Sequence, residues 1–162
     1  MTELGSMAEI VGALLKEREH TIGVSESSAG GLISAALVAV PGASAFYIGG
    51  AVIYTHVARQ GLLGIQEDAM TGIRASTEPY AVLKARTVRE LLGTTWGLSE
   101  TGASGPTGNR YGDASGHACI AVAGPVEQVI TIETGDSDRQ ANMRAFAGAA
   151  LDLLERCVRE SG

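Results

Sequence analysis

The feature that most constrains the fold is a short apolar run that leads directly into small hydroxyl residues and glycines. Residues 21–24 are TIGV, residues 25–31 are SESSAGG, and residues 32–38, LISAALV, have a helical pattern. This order predicts a strand that turns into a helix, the junction at which open α/β sheets bind ligands. Backbone N–H groups and the helix dipole favour negative charge there, and adjacent glycines allow a ligand to approach closely. A simpler interpretation is a serine N-cap on an ordinary helix.

The composition is typical of one α/β domain. The chain has 162 residues, of which 45% are hydrophobic and 22 are glycine, which suits a sizeable core with many tight turns. No apolar run approaches the roughly 18 residues of a membrane span, so we expect a cytoplasmic protein without membrane contact. The net charge of −6 and the lack of a basic stripe argue against nucleic-acid binding. Cys119 and Cys157 stand in apolar segments, which is typical of core residues rather than of a disulfide.

Helical and strand-like patterns alternate along the chain. Helices are predicted at residues 7–16, 32–39, 56–63, 80–92 and 138–159. Strands are predicted at residues 21–25, 48–54, 96–100, 117–123 and 128–133. The glycine pair at residues 49–50 predicts a bulge or a close backbone approach in the second strand. Such alternation predicts a sheet flanked by helices.

Four loops that follow predicted strands are expected to form one pocket at the ends of the sheet. They are residues 27–31, 54–59, 101–108 and 135–144. The loop at residues 101–108, TGASGPTG, has the composition of a tight turn whose free amides can cradle a phosphate, although an ordinary surface turn has the same composition.

The three histidines, His20, His56 and His117, lack the spacing of metal ligands, and no carboxylate cluster accompanies them. We therefore expect neither a metal nor a cofactor. His56 lies two residues after Tyr54, so its side chain either reaches the pocket or remains solvated.

Seven short motifs, taken in order, resemble the CinA C-terminal domain family. They are ESSAGG at 26–31, PGAS at 41–44, VIYTHVAR at 52–59, LLG at 62–64, STEP at 76–79, TGASGPTG at 101–108, and GD followed by arginines within 135–144. The resemblance covers nearly the whole chain. It implies a single-domain three-layer α/β/α sandwich with a central mixed, mostly parallel sheet over residues 1–162. It also implies the stand-alone form of the family, which lacks the extra N-terminal domain of longer members, and a homo-oligomer.

The resemblance implies nicotinamide-nucleotide amidohydrolysis, in which nicotinamide mononucleotide and water give nicotinate mononucleotide and ammonia. Amide hydrolysis needs a nucleophile, a proton acceptor, a donor to the leaving ammonia and stabilisation of an oxyanion. Ser27 matches the family's catalytic serine and Tyr54 its catalytic tyrosine, although a tyrosine in a strand is also typical of a core. The substrate-binding positions that the resemblance implies are Ser28, Gly30, Gly31, Thr101, Gly102, Gly105 and Arg139. The expected partner is a small nucleotide substrate.

Two motifs depart from the family pattern. The family has ESCTGG where this chain has ESSAGG, which keeps Ser27 but loses a thiol and a hydroxyl. Arg59, the third expected catalytic residue, stands where the family has the lysine that is thought to take the proton. A guanidinium is charged at every working pH and cannot act as a base, so Arg59 is expected to hold Tyr54 ionised or to pair with phosphate. Two functions remain: an active amidohydrolase, and a catalytically silent nucleotide-binding module of the same fold.

Overall fold

The computed structural model describes residues 2–162, which form a five-stranded sheet with helices on both faces. The strands are β1 (Ile22–Glu26), β2 (Tyr47–Val52), β3 (Trp96–Ala103), β4 (His117–Ala123) and β5 (Gln128–Glu133). Their order across the sheet is β2-β1-β3-β4-β5. β1 pairs in parallel with β2 and β3, whereas β4 is antiparallel to both β3 and β5. The sheet is therefore mixed with a parallel core, as predicted.

Five α-helices cover the sheet. They are α1 (Glu3–Arg18), α2 (Leu32–Val38), α3 (His56–Leu63), α4 (Glu78–Leu92) and α5 (Arg139–Glu160). The helices α1, α2 and α5 pack together on one face, over the main hydrophobic core. The helix α4 packs on the other face against β3 and β4, over a smaller apolar cluster. This arrangement confirms the predicted three-layer α/β/α sandwich.

The predicted elements are present, and the differences lie at their ends. The helix α1 begins at Glu3 rather than residue 7, because the Thr2 hydroxyl accepts the Gly5 amide at 3.0 Å and caps it. The strand β3 continues to Ala103, since it pairs with β4 along its whole length. The strand β2 ends at Val52, two residues earlier than predicted, and leaves Tyr54 in the loop before α3.

The glycine pair in β2 has both predicted features. The register between β1 and β2 shifts between Ile22 and Gly23, which marks an irregularity in the pairing. A Cβ at Gly50 would lie 2.5 Å from the carbonyl oxygen of Val24, so only glycine fits the close approach of the two backbones.

Two further sequence predictions concern membrane-spanning helices and the cysteines. None of the helices in the described part of the chain has the length and apolar character that crossing a membrane would need. Cys119 and Cys157 are buried and form no disulfide, which confirms that they are core residues.

Candidate functional site

A cavity of about 380 Å³ opens where the loops after β1, β2 and β3 meet, which places it at the predicted edge of the sheet. Six of the predicted site residues line it: Ser27, Ser28, Tyr54, Arg59, Thr101 and Gly102. Four predicted residues do not line it: Gly30, Gly31, Gly105 and Arg139. The structure adds lining residues that the sequence did not single out, among them Ser76, Tyr80, Arg110 and Tyr111, and it brings His56 to the wall.

The loop that carries Ser27 is held by the side chain of Glu100, which is fully buried within β3. One carboxylate oxygen of Glu100 accepts the backbone amides of Ser27 at 2.8 Å and of Ala29 at 2.9 Å. Hydrogen bonds to a charged acceptor are among the stronger ones in proteins. These two hydrogen bonds therefore tie the backbone on both sides of Ser28 to β3.

A second buried carboxylate, that of Glu26, occupies the N-terminus of α2. Its two oxygens accept the amides of Gly31 and Ile33, both at 3.0 Å, and of Ser34 at 2.8 Å. The positive end of the α2 dipole is thus neutralised by the protein's own side chain. The expectation that this helix end offers free amides to an anionic ligand is wrong.

One amide of the loop remains open. The amide of Gly30 donates to the Ser27 carbonyl at 3.0 Å, and those of Ser27, Ala29 and Gly31 donate to the two carboxylates. The amide of Ser28 has no protein acceptor within residues 2–162. It is therefore the amide of this loop that can donate to an oxyanion without breaking an existing bond.

The two serines of the loop differ in what their hydroxyls do. Ser28 is buried and its Oγ donates to the Gly102 carbonyl at 2.7 Å, which ties the loop to β3. Ser27 is partly exposed to the cavity, and its Oγ makes no hydrogen bond within the described part of the chain. Only the Ser27 hydroxyl is free to react.

The strand β3 provides the floor of the cavity through Thr101 and Gly102. The Thr101 hydroxyl accepts the Ser76 amide at 3.3 Å, so it also orders the segment before α4. A Cβ at Gly102 would lie 2.3 Å from the carbonyl oxygen of His117 in β4, which explains why glycine stands here.

Tyr54 stands at the cavity wall with 60% of its surface exposed, so the core interpretation of this residue is wrong. Its hydroxyl accepts a hydrogen bond from Nη2 of Arg139 at 2.9 Å. Arg139, the first residue of α5, also donates through Nη1 to the Gly105 carbonyl. Arg139 and Gly105 therefore do not line the cavity. Arg139, which donates to the Gly105 carbonyl, positions the Tyr54 hydroxyl from outside the cavity lining.

Arg59 is 2% exposed and forms no hydrogen bond with Tyr54 in the described residues. Its Nη2 donates to Glu67 at 2.7 Å and its Nε to the Ile65 carbonyl at 3.3 Å. The hydrogen bond from Arg59 holds the pKa of Glu67 below its usual value. The cation that contacts the Tyr54 phenol is Arg139, and the expected pairing of Tyr54 with Arg59 is not formed.

His56 and Arg110 form the rim next to Arg59. Nδ1 of His56 lies 3.2 Å from Nη1 of Arg59, and its Nε2 lies 3.1 Å from Nη2 of Arg110. Arg110 also donates to the Tyr111 hydroxyl at 2.9 Å. The alternative in which His56 reaches the pocket is the one observed, although the ring remains exposed.

A buried lysine lies under the site. Lys84 in α4 has no exposed surface, and its Nζ donates to the backbone carbonyl of Glu100 at 3.0 Å and lies 4.9 Å from the centre of the Tyr80 ring. Burial lowers the pKa of Lys84 to about 8, and burial raises the pKa of the Glu100 carboxyl. The sequence signal was a lone lysine on the apolar face of α4.

Metal binding finds no support in the arrangement of side chains. No group of three His, Cys, Asp or Glu residues within 2–162 is placed to hold a metal ion. His117 instead bonds to the Ser76 carbonyl through Nε2 at 2.8 Å and to Glu133 through Nδ1 at 2.5 Å.

Comparison with known sequences identifies relatives over most of the chain. A model of the CinA C-terminal domain matches residues 4–158. A CinA-like protein of Salinibacter ruber is 37% identical over 153 residues, which are 94% of this chain and 37% of that protein. A CinA-like protein of Cyanothece sp. PCC 7425 is 40% identical over 153 residues, which are 93% of this chain and 37% of that protein. The chain thus spans little more than a third of these relatives.

Solved structures of similar fold include two bacterial proteins. A competence-damaged protein (CinA) superfamily member from Klebsiella pneumoniae 700603 superposes with a TM-score of 0.91 and 21% identity, over 98% of this chain and 99% of that one. The competence/damage inducible protein CihA from Agrobacterium tumefaciens superposes with a TM-score of 0.87 and 24% identity, over 97% of this chain and 96% of that one. At these identities the likeness shows the fold.

Proposed function

Since the chain belongs to the CinA C-terminal domain family, we propose that it hydrolyses the carboxamide of nicotinamide mononucleotide to release nicotinate mononucleotide and ammonia. The observation that carries the proposal is the state of Ser27. Its hydroxyl is free and faces the same cavity as Tyr54, while its backbone is held by Glu100. A nucleophile fixed in this way needs little reorganisation before attack.

In the proposed reaction Ser27 Oγ attacks the carboxamide carbon. In this step Tyr54 acts in its phenolate form and its oxygen takes the Ser27 proton, while Nη2 of Arg139 donates to that oxygen at 2.9 Å. The open Ser28 amide donates to the oxyanion that forms on the carbonyl oxygen. When the C–N bond breaks, Tyr54 returns the proton to the nitrogen, ammonia leaves, and the acyl group stays on Ser27 as an ester.

Water completes the cycle. It attacks the ester carbon and gives a proton to Tyr54, and the C–O bond to Ser27 then breaks with return of that proton to the serine oxygen. The products are nicotinate mononucleotide and the free enzyme, so one water is consumed for each ammonia released.

Ammonia release by the purified protein tests the proposal. Nicotinamide mononucleotide is the substrate, and both ammonia and nicotinate mononucleotide are quantified. Replacing the nucleophile should abolish turnover, so Ser27→Ala is expected to lower kcat by about a thousandfold or more. Ser44→Ala, at an exposed serine in a short helical turn, is the matched control and should keep the wild-type rate. Turnover by Ser27→Ala at the wild-type rate would contradict the assignment.

A second candidate function is a nucleotide-binding module without turnover. The observation that favours it is Arg59, which is buried and paired with Glu67 where the family has its proton-accepting lysine. Calorimetric binding of nicotinamide mononucleotide without ammonia release, in wild type and in Arg59→Lys alike, would select this function over the enzyme.

A further inference from the structure

The charges that line the cavity are of one sign. Two arginines, Arg59 and Arg110, belong to the lining, and no carboxylate does. The whole chain carries a net charge of −6, so this concentration of positive charge is local. A cleft lined by one sign of charge concentrates ligands of the opposite sign.

Of the two arginines that line the cavity, Arg59 has a carboxylate partner and Arg110 has none. Glu67 pairs with Arg59 at 2.7 Å, and Asp113 pairs with Arg74 at 2.8 Å. No carboxylate of residues 2–162 forms an ion pair with Arg110, whose side-chain contacts are His56 and the hydroxyl of Tyr111. The positive charge of Arg110 is therefore uncompensated at the mouth of the cavity.

The two ring nitrogens of His56 face more hydrogen-bond donors than they can accept from. Both ring nitrogens face guanidinium groups, Nδ1 at 3.2 Å from Arg59 and Nε2 at 3.1 Å from Arg110. A guanidinium has only donors, whereas a neutral imidazole has a single acceptor nitrogen and a protonated one has none. At least one of the two contacts therefore sets donor against donor. An anion placed between Arg110 and the imidazole would supply the acceptor.

We propose that Arg110, His56 and Tyr111 form the subsite for a phosphomonoester dianion at the mouth of the cavity. Arg110 supplies the charge and further N–H donors, and the Tyr111 hydroxyl, which accepts from Arg110, can donate its own proton to the same anion. The cavity, at about 380 Å³, is in the range that holds small ligands. This proposal rests on the proposed function, since the monoester would be the phosphate of the mononucleotide.

The placement differs from the one that the sequence suggested. The loop at residues 101–108 was expected to cradle a phosphate and Arg139 to bind the substrate. Only Thr101 and Gly102 of that loop line the cavity, and Arg139 is occupied by Tyr54 and Gly105 outside the lining. Arg110 and Ser27 line the same cavity, so one ligand can bring its phosphate to Arg110 and its carboxamide to Ser27.

Calorimetric titration with ribose 5-phosphate tests the subsite alone, because this probe carries the monoester and no amide. Wild type is expected to bind ribose 5-phosphate and not ribose. Arg110→Gln should weaken ribose 5-phosphate binding at least tenfold, since it removes a charge-assisted contact. Arg156→Gln, at an exposed arginine of α5 that pairs with Asp152, removes the same charge away from the cavity and should bind like wild type. Unchanged melting temperatures would verify that the variants are folded.

A second comparison uses nicotinamide mononucleotide and nicotinamide riboside. Wild type should bind the nucleotide more tightly, and Arg110→Gln should lose most of that preference. Equal affinity of wild type and Arg110→Gln for ribose 5-phosphate would overturn the subsite. Failure of the proposed function has a different signature, because ribose 5-phosphate would still bind through Arg110 while no ammonia is released.

Discussion

The buried amine of Lys84 makes a measurable prediction about stability at alkaline pH. Its pKa lies at about 8 in the folded protein, lowered by burial, compared with 10.5 for an exposed lysine. Between these two values the unfolded chain binds a proton that the folded chain does not. Stability therefore rises as the pH increases from about 8 to 10.5, and the gain is absent below pH 8.

The size of the gain follows from the difference between the two pKa values. A lowering from 10.5 to about 8 corresponds to about 3 kcal/mol, at 1.36 kcal/mol for each pH unit. The groups that face the Lys84 amine are Glu100 from β3 and the Tyr80 ring from α4. Lys84→Met keeps the approximate volume of the side chain and removes its titration.

Urea unfolding of wild type and Lys84→Met at several pH values from 7 to 10.5 measures this difference. Wild type should gain about 3 kcal/mol relative to Lys84→Met between pH 8 and 10.5. Groups that titrate in this range away from Lys84 affect both proteins equally and cancel in the comparison. Lys16→Met, at an exposed lysine, is the matched control and should follow wild type. Parallel pH dependences for wild type and Lys84→Met would refute the reasoning.

Two further predictions concern Arg59 and Asp113. Arg59→Lys places in the cavity wall a titratable amine that can accept the Ser27 proton alongside Tyr54, so ammonia release should rise and the pH–rate profile should gain a limb that wild type lacks. An unchanged profile would show that residue 59 lies outside the proton path. The hydrogen bond from Arg74 lowers the pKa of Asp113 from 3.8 to about 2, so its contribution to stability is complete above pH 3.8 and is lost as the pH falls towards 2. Melting temperatures of Asp113→Asn should therefore fall less than those of wild type between pH 5 and 2, and equal losses would contradict this assignment.

Local patterns in the sequence were sufficient to predict the helices and strands and the edge of the sheet at which the candidate site lies. The helix at 56–63 and the strands at 117–123 and 128–133 were predicted to the residue, because the periodicity that forms them lies within each segment. Ser27, Tyr54 and Thr101 come together because β1, β2 and β3 are parallel, and parallel strands bring their carboxyl ends to one edge of the sheet.

Contacts between distant segments decided what each residue does there. Glu100 accepts the Ser27 amide across 73 positions of the chain, so that amide is no longer open to an anionic ligand. Arg139 reaches Tyr54 across 85 positions, and Arg110 reaches His56 across 54. The sequence by itself determined which residues arrive at the edge of the sheet, because secondary structure is set by neighbours in the chain. The tertiary structure decided which carboxylates cap the backbone, which arginine contacts the Tyr54 phenol and which cavity arginine has no carboxylate partner, because those contacts are made only by packing.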